Sequence, residues 1–553
     1  MMNRISDRQL WWLLIVVALI WFSNLEYRTL IKPDEGRYAE IPREMVASGD
    51  WVTPRLNDLK YFEKPPLQYW ATATAYTVFG EHQWTARLWT GLTGFAGLLL
   101  VWFTGLRLFG REAANYAALL LSSSMLYVMM GHINTLDMGV TFFITLGIFS
   151  FLLAQHSEAT VQQVASRNWM LLAWAGMGLA VLSKGLMGIV LPGTAVFIYC
   201  MVRRDFGLLK RMHWIAGLSV FLLITVPWFY LVIKANPEFF ERFFIYEHYT
   251  RFMTKELGRY QPWYYFVPIL LAGALPWTVL MFDSLFHIGR PTAPSGDKKP
   301  FHAALFLLIW AVFIYVFFSI SDSKLPSYLL PMFPALALLM GRRLVEIRDR
   351  LLFWYVAAVA PFGLLLLVLS INVGKFADTP NQKELYPYYA IWLASASLIL
   401  LAGLLSGMAL LWKEKKLAAV LSIAMATLLA TQIGVSGYNT VARERSAKHI
   451  AEAIRDQLKP GVPFYSVLTY EQTLPFYLKR TFTLVQYQDE MGFGIKREPQ
   501  RWVPTLADFA HVWAAQPEAL AIMQVQVYPI LQQMGLPMKI IFRDTQHIVV
   551  KKP

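Results

Sequence analysis

Six short stretches of the chain place ionisable side chains where apolar runs end. Asp34, Glu35 and Arg37 fall in Pro33-Asp34-Glu35-Gly36-Arg37-Tyr38, and Tyr61, Glu63 and Lys64 in Tyr61-Phe62-Glu63-Lys64-Pro65-Pro66. Asp137 opens one apolar run and Lys184 interrupts another; Glu247, His248 and Arg251 sit in an aromatic-rich segment; Lys324 and Tyr328 stand four residues apart. Ionisable groups beside hydrocarbon are costly unless they are paired or functional. A single one is accommodated by reaching toward water, whereas a dozen on one face predict a polar cavity at a membrane boundary.

Carboxylates beside lysines and arginines at such a boundary suit a lipid-linked sugar donor, whose phosphate lies at the interface while its tail lies in the bilayer. Sugar transfer makes polyprenyl phosphate the leaving group, and cations must stabilise the charge that develops there. Lys64 and Arg37 are the first candidates, with Arg251, Lys324, Tyr328 and Lys184 as further phosphate contacts. A carboxylate near the sugar deprotonates or orients the acceptor and pairs with any cationic group on the sugar. Asp34 is the first choice for that task, Asp137 the second and Glu35 the third, with Tyr61, Glu63, Glu247 and His248 placed to contact sugar or acceptor.

Each residue also has a plainer reading. Asp34 and Glu35 suit the first turn of a helix, where acids favour the N-terminal dipole. Lys64 can be an interfacial anchor before two prolines, Arg37 an ion-pair partner of Asp34 or Glu35, and Asp137 a helix cap. Lys184 can cap two helices. The Trp and Tyr residues at run ends read as an interfacial belt.

The elements that must position these groups are membrane helices. Of 553 residues, 56% are hydrophobic, 15% aromatic and only 16% charged, against about a quarter charged in soluble chains. Apolar runs long enough to span fall near residues 10–30, 87–106, 113–131, 137–154, 169–183, 185–202, 213–233, 263–283, 301–320, 325–341, 351–373, 388–412 and 417–438, about thirteen helices of the length a bilayer requires. The net charge of +14 resides mainly in short alternate loops, as membrane topology demands, and so does not argue for nucleic acid. The bias puts the N-terminus inside and the C-terminus outside. Residues 31–86 and 234–262 are outer-side segments too long for simple connectors, and the first should contain helices lying in the interface, near 37–47 and 69–79. No internal repeat is present, and Arg4 and Arg8 precede a first helix that is retained.

From about Asn439 the pattern changes. Alternating runs at 463–468, 481–487 and 540–550 predict strands, and 446–458 and 506–515 predict helices. The chain thus divides into a transmembrane unit, 1–438, and a small soluble α/β domain, 439–553, outside the membrane. Cys200 is the one cysteine, which excludes disulfide frameworks and thiolate metal ribbons.

The stretches Pro33-Asp34-Glu35-Gly36-Arg37-Tyr38-Ala39-Glu40-Ile41, Gly49-Asp50-Trp51 and Tyr61-Phe62-Glu63-Lys64-Pro65 resemble the glycosyltransferase-C (GT-C) superfamily, in its aminoarabinose-transferase branch of protein mannosyltransferase-like proteins. Leu182-Ser183-Lys184-Gly185 and Lys324-Leu325-Pro326-Ser327-Tyr328-Leu329-Leu330-Pro331 resemble later family motifs, so the likeness covers the membrane region to about residue 340. The resemblance implies an α-helical polytopic GT-C fold in the bacterial inner membrane with a periplasmic site. It implies transfer of 4-amino-4-deoxy-L-arabinose from undecaprenyl phosphate to lipid A phosphates with inversion, and hence polymyxin resistance. By the same resemblance Asp34 matches the first-loop aspartate of the superfamily and Lys64 the donor-phosphate position. No cofactor is required by this family, although Glu63 with His248 is a candidate pair for a divalent ion. The expected partners are the undecaprenyl-linked donor, lipid A and membrane lipids, with no nucleic acid, and the chain is expected to act as a monomer. A protein O-mannosyltransferase and a lipid-sugar flippase are the alternative readings; the lack of repeats and the one-sided charges disfavour the flippase.

Overall fold

The computed structural model describes residues 6–159, 163–250, 261–289 and 301–553. Every one of the expected apolar runs is occupied by helix. By length and composition, eight helices among the described residues qualify as spans, from Gln83–Leu108 to Lys416–Glu444. A further pair, Trp263–Gly273 and Thr278–Phe286, bends by 110° between its halves, so the run expected near 263–283 is a broken or re-entrant span and not a straight rod. The first helix, Asp7–Phe22, is shorter than its expected run. The chain is a polytopic membrane protein.

Two helices form where the sequence predicts them in the segment 31–86, Asp34–Ser48 and Leu67–Phe79. The first is not a surface element. Residues Glu35 to Met45 are all buried, because the C-terminal domain closes over it. A Cβ on Gly36 would meet the Gln472 carbonyl carbon and oxygen at 2.6 Å and Thr473 Cγ2 at 2.8 Å. Only glycine permits that approach of helix to backbone.

Between these helices a hairpin, Arg55–Leu56 with Leu59–Lys60, turns at Asn57 and Asp58, both with positive φ, as two-residue hairpin turns require. Glu44 accepts from the Asn57 and Asp58 backbone N–H groups at 2.6 and 2.8 Å. The Asn57 amide exchanges two hydrogen bonds with the Phe482 backbone. Arg55 forks onto Glu498, and Arg501 pairs with Asp58. The outer loop and the C-terminal domain thus share one interface.

The C-terminal domain is a six-stranded mixed sheet in the order Trp502–Val503, Thr483–Val485, Phe464–Val467, Leu520–Gln524, His547–Lys551, Lys539–Arg543. The first four strands run parallel and the last two pair antiparallel. The stretch 540–550, expected as one strand, is instead a hairpin. Asp544 Oδ1 accepts from the Gln546 and His547 N–H groups, folding the chain back. The helix at Leu506–Ala515 matches expectation, and that at 446–458 is shorter, Lys448–Ile454 with a 3-10 turn.

Candidate active site

Asp34 and Glu35 are neighbours on one helix, yet their side chains diverge. Glu35 is fully buried and receives Arg87 Nε on one oxygen at 2.7 Å and Arg87 Nη2 on the other at 2.9 Å. It also accepts from the Asn134 N–H at 3.0 Å and the Ile31 N–H at 3.1 Å. Burial opposes its ionisation, but the charge and hydrogen bonds of Arg87 outweigh burial and hold the carboxyl below its ordinary range. With both oxygens engaged and no exposure, Glu35 positions the helix and cannot reach a substrate. That corrects its placement among the catalytic acids.

Asp34 is partly exposed and is bonded by Arg37 Nη1 at 3.3 Å. Arg37 is buried, pairs through its other terminal nitrogen with Glu490 of the C-terminal domain, and lies 5.9 and 5.8 Å from the ring centroids of Tyr38 and Tyr61. Among the described residues its Nε has no hydrogen-bond acceptor, and the buried Tyr61 and Tyr69 hydroxyls have no partners. Burial disfavours the Arg37 cation, but Tyr61, Glu490, Tyr38 and Glu63 raise its pKa well above the ordinary value. Burial raises the Glu490 carboxyl above its ordinary range even though Arg37 opposes the shift. Glu63 acts electrostatically on Arg37 and on Tyr61, and Lys64, half-buried, is the next residue in the chain.

Across from this group, Asp137 stands in the first turn of Leu136–Ala159 and forms a close ion pair with Lys184. The Lys184 ammonium is 5.0 Å from the Tyr328 ring centroid and within electrostatic reach of Asp34. Gln68 bonds Asn134 Oδ1 at 2.8 Å, and the same Asn134 donates to Glu35. The Asp34 helix and the segment leading to Asp137 are therefore fastened to each other.

A polar cavity of about 770 Å³ opens beside Arg37. It is lined by Glu63, Glu238, Glu241, Glu247, Asp489 and Glu490 and by four cations, Arg37, Arg242, Lys496 and Arg497. Carboxylates outnumber cations there. Glu247 is paired with Arg242 at 3.0 Å. Glu490, Asp489, Lys496 and Arg497 belong to the C-terminal domain and were not among the expected site residues.

The fold of the chain superposes on that of ArnT from Cupriavidus metallidurans bound to undecaprenyl phosphate with a TM-score of 0.93 and 39% identity, covering 99% of this chain and 98% of that one. The chain belongs to the aminoarabinose transferase family. The apo form of the same ArnT gives a TM-score of 0.91 and 40% identity, over the same shares of the two chains. Residues 450–552 match the family described as aminoarabinose transferase C-terminal domain, and residues 8–240 match dolichyl-phosphate-mannose-protein mannosyltransferase. The undecaprenyl phosphate-alpha-4-amino-4-deoxy-L-arabinose arabinosyl transferase of Erwinia tasmaniensis is 36% identical over 332 residues, 60% of this chain and 58% of that protein. A transferase of Proteus mirabilis with the same description, numbered 1, is 34% identical over 63% of this chain and 62% of its own length. The chain thus spans about three-fifths of the length of these two relatives. An archaeal oligosaccharyltransferase from Archaeoglobus fulgidus shares the fold at 12% identity, with a TM-score of 0.51 over 95% of this chain and 70% of that one. The GT-C fold read from the motifs is present.

Of the expected site residues within this family member, Arg37, Glu63 and Glu247 line the polar cavity, whereas Asp34, Tyr61, Lys64, Asp137, Lys184, Lys324 and Tyr328 are not among its lining residues. Lys324 and Tyr328, four residues apart in the chain, do not share a helix. Pro326 keeps Leu325 extended, and the following helix is 3-10, so Lys324 lies outside it. Its ammonium is held by the backbone carbonyls of Gln261, at 2.7 Å, and Ser321. The side chain of His248 and the whole of Arg251 lie outside the described residues. Among the described residues no group of three or more metal-ligating side chains occurs.

Proposed function

We propose that this aminoarabinose-transferase family member transfers 4-amino-4-deoxy-L-arabinose from undecaprenyl phosphate to lipid A phosphates, with inversion. The reaction takes place on the periplasmic side of the bacterial inner membrane and confers resistance to polymyxin and other cationic antimicrobial peptides. Residues 1–438 form the transmembrane glycosyltransferase domain, with 31–86 and 234–262 as its active-site loops, and 439–553 the periplasmic domain that closes the site. The observation that carries this reading is Arg37, buried with an unbonded Nε beside the polar cavity, in a fold that superposes on one holding undecaprenyl phosphate.

In the reaction an oxygen of the acceptor phosphate attacks the anomeric carbon from the face opposite the donor phosphate. The bond from that carbon to the donor oxygen breaks, and its electron pair leaves on undecaprenyl phosphate. Lys64 and Arg37, with Lys184, stabilise that charge. The acceptor is already an anion, so no strong base is required, and Asp34 orients the acceptor and sugar. The surplus of carboxylates along the cavity suits a sugar that carries an ammonium group.

The test is mass spectrometry of lipid A from cells with and without the protein and with Lys64→Ala or Asp34→Asn. Gain of an aminopentose on phosphate in wild type, with loss in both variants at unchanged protein level, is the expected result. Retained transfer in both variants would refute the assignment of the site. The mannosyltransferase match over residues 8–240 favours a second reading, transfer to a protein hydroxyl. Glycosylated periplasmic protein with unmodified lipid A would select it.

A further inference from the structure

A second cavity, of about 560 Å³, lies among the membrane helices and shares no lining residue with the polar one. Its walls are apolar, among them Met129, Ile133, Leu366 and Leu393, but Arg28, Tyr389 and Tyr438 line it as well. Arg28 is only 2% exposed. One of its terminal nitrogens donates to the His132 carbonyl, and among the described residues its Nε has no acceptor. Among the described residues no carboxylate lies within ion-pair distance of it. The acid that acts on it electrostatically, Glu35, is already engaged by Arg87. Arg28 is therefore a buried cation with no bonded counter-charge among the described residues. Such a charge is strongly unfavourable without an anion.

The cavity opens sideways. Leu369 and Phe376 on its lining are 42% and 61% exposed, so hydrocarbon chains can enter from the bilayer. Its volume lies in the usual range for a site holding one small ligand, which suits one or two chains and not the bulk of a multiply acylated acceptor. We propose that this cavity binds an anionic phospholipid of the surrounding bilayer, with the phosphate on Arg28 and the chains along the apolar wall. The Tyr389 and Tyr438 hydroxyls add donors at the same end. The lipid neutralises Arg28 directly beneath the segment that leads into the Asp34 helix.

The full chain, purified in detergent, is titrated with phosphatidylglycerol or with phosphatidylcholine of the same chains, and adducts are read by native mass spectrometry with thermal unfolding in parallel. Phosphatidylglycerol is expected to form a one-to-one adduct and raise Tm, and phosphatidylcholine, whose choline cation offsets its own phosphate, to bind about tenfold or more weakly. Arg28→Gln removes the preference. Ala396→Trp fills the cavity with Arg28 intact and removes the adduct, which keeps the test decisive if Arg28→Gln fails to fold. Equal binding of both headgroups, or an unchanged adduct in Ala396→Trp, overturns the proposal. A lipid A adduct that Ala396→Trp removes, under conditions where phosphatidylglycerol forms none, assigns the cavity to the acceptor and also overturns it.

Discussion

Glu35 and Arg87 form a two-pronged ion pair with no solvent exposure on either side chain, joining the first outer helix to the start of the span Gln83–Leu108. Arg87 also donates to the carbonyls of Leu25, Arg28 and Thr29, so one guanidinium ties the end of the first helical run to the helix carrying Asp34. Since Glu35 in turn receives the Asn134 N–H, the pair sets the spacing between Asp34 and Asp137.

Glu35→Gln should therefore impair both stability and transfer. Removing one member of a buried pair costs about 3–5 kcal/mol, because the other charge is left uncompensated. The expected outcome is a fall in Tm and loss of transfer without loss of membrane insertion. Replacing both residues, Glu35→Leu with Arg87→Met, should recover much of the Tm and little of the activity, since it restores burial but not geometry. Full recovery of activity in the double variant would show that the pair does not position the site.

Glu490 reaches Arg37 from the C-terminal domain. Glu490→Gln keeps the shape and deletes the charge, so Arg37 loses its closest carboxylate while its contacts to Tyr38 and Tyr61 persist. Transfer is expected to fall by about tenfold to a hundredfold, the scale of about 1.4 to 2.7 kcal/mol in transition-state stabilisation. Burial raises the Glu490 carboxyl above its ordinary 4.5, so the acid limb of the wild-type activity profile should begin above that pH and move in the variant. A profile unchanged in Glu490→Gln would remove Glu490 from the site.

His547 lies within the C-terminal domain and buttresses Glu471, which Lys32 contacts across the interface. Its Nε2 is 2.9 Å from Glu471 Oε1, which Lys32 also contacts at 2.7 Å, one residue before Pro33. Burial disfavours the imidazolium, but Asp544 and Glu471 outweigh it and push the pKa up to about 9, from 6.5. A histidine raised in the folded state contributes stability that is fully present below about 6.5 and is lost as pH rises through about 9. The shift corresponds to on the order of 3 kcal/mol. Thermal unfolding should accordingly weaken from pH 7 to 9.5 in wild type and much less in His547→Gln. Identical slopes in the two proteins would show that the His547 contacts do not set this pH dependence.

Asp34, Arg37, Tyr61 and Glu63 were legible because they lie within about thirty residues of one another in a loop whose composition stands out between apolar runs. The spans were legible for the same reason: hydropathy is written locally. Glu490 was not, since Asp489-Glu490 in a polar domain has no local mark, and only the close approach at Gly36 brings it to Arg37. Arg87 and Arg28 did carry a signal. Each is a cation at the edge of an apolar run, where a charge calls for a partner, but the sequence does not say which. The hairpin at Asp544 was hidden in a run that alternates like a single strand, and the side-chain hydrogen bonds that fold it back are tertiary in origin.

The pair of Asp137 and Lys184 gives the sharpest test of the proposed cation set. Lys184 is packed over Tyr328 and paired with Asp137, so a purely structural lysine and a phosphate-binding lysine would look alike at rest. They differ in what rescues them. If Lys184 only offsets Asp137, then Lys184→Met is harmful because it strands the acid, and adding Asp137→Leu should restore both Tm and transfer. If Lys184 stabilises the departing phosphate, the double variant should regain Tm yet remain deficient in transfer, with kcat reduced more than KM, as expected when an interaction made in the transition state is lost. We expect the second pattern, measured by thermal unfolding and by single-turnover transfer from undecaprenyl-linked sugar. Recovery of kcat in the double variant would confine Lys184 to a structural role and leave Lys64 and Arg37 as the cations that serve the leaving group.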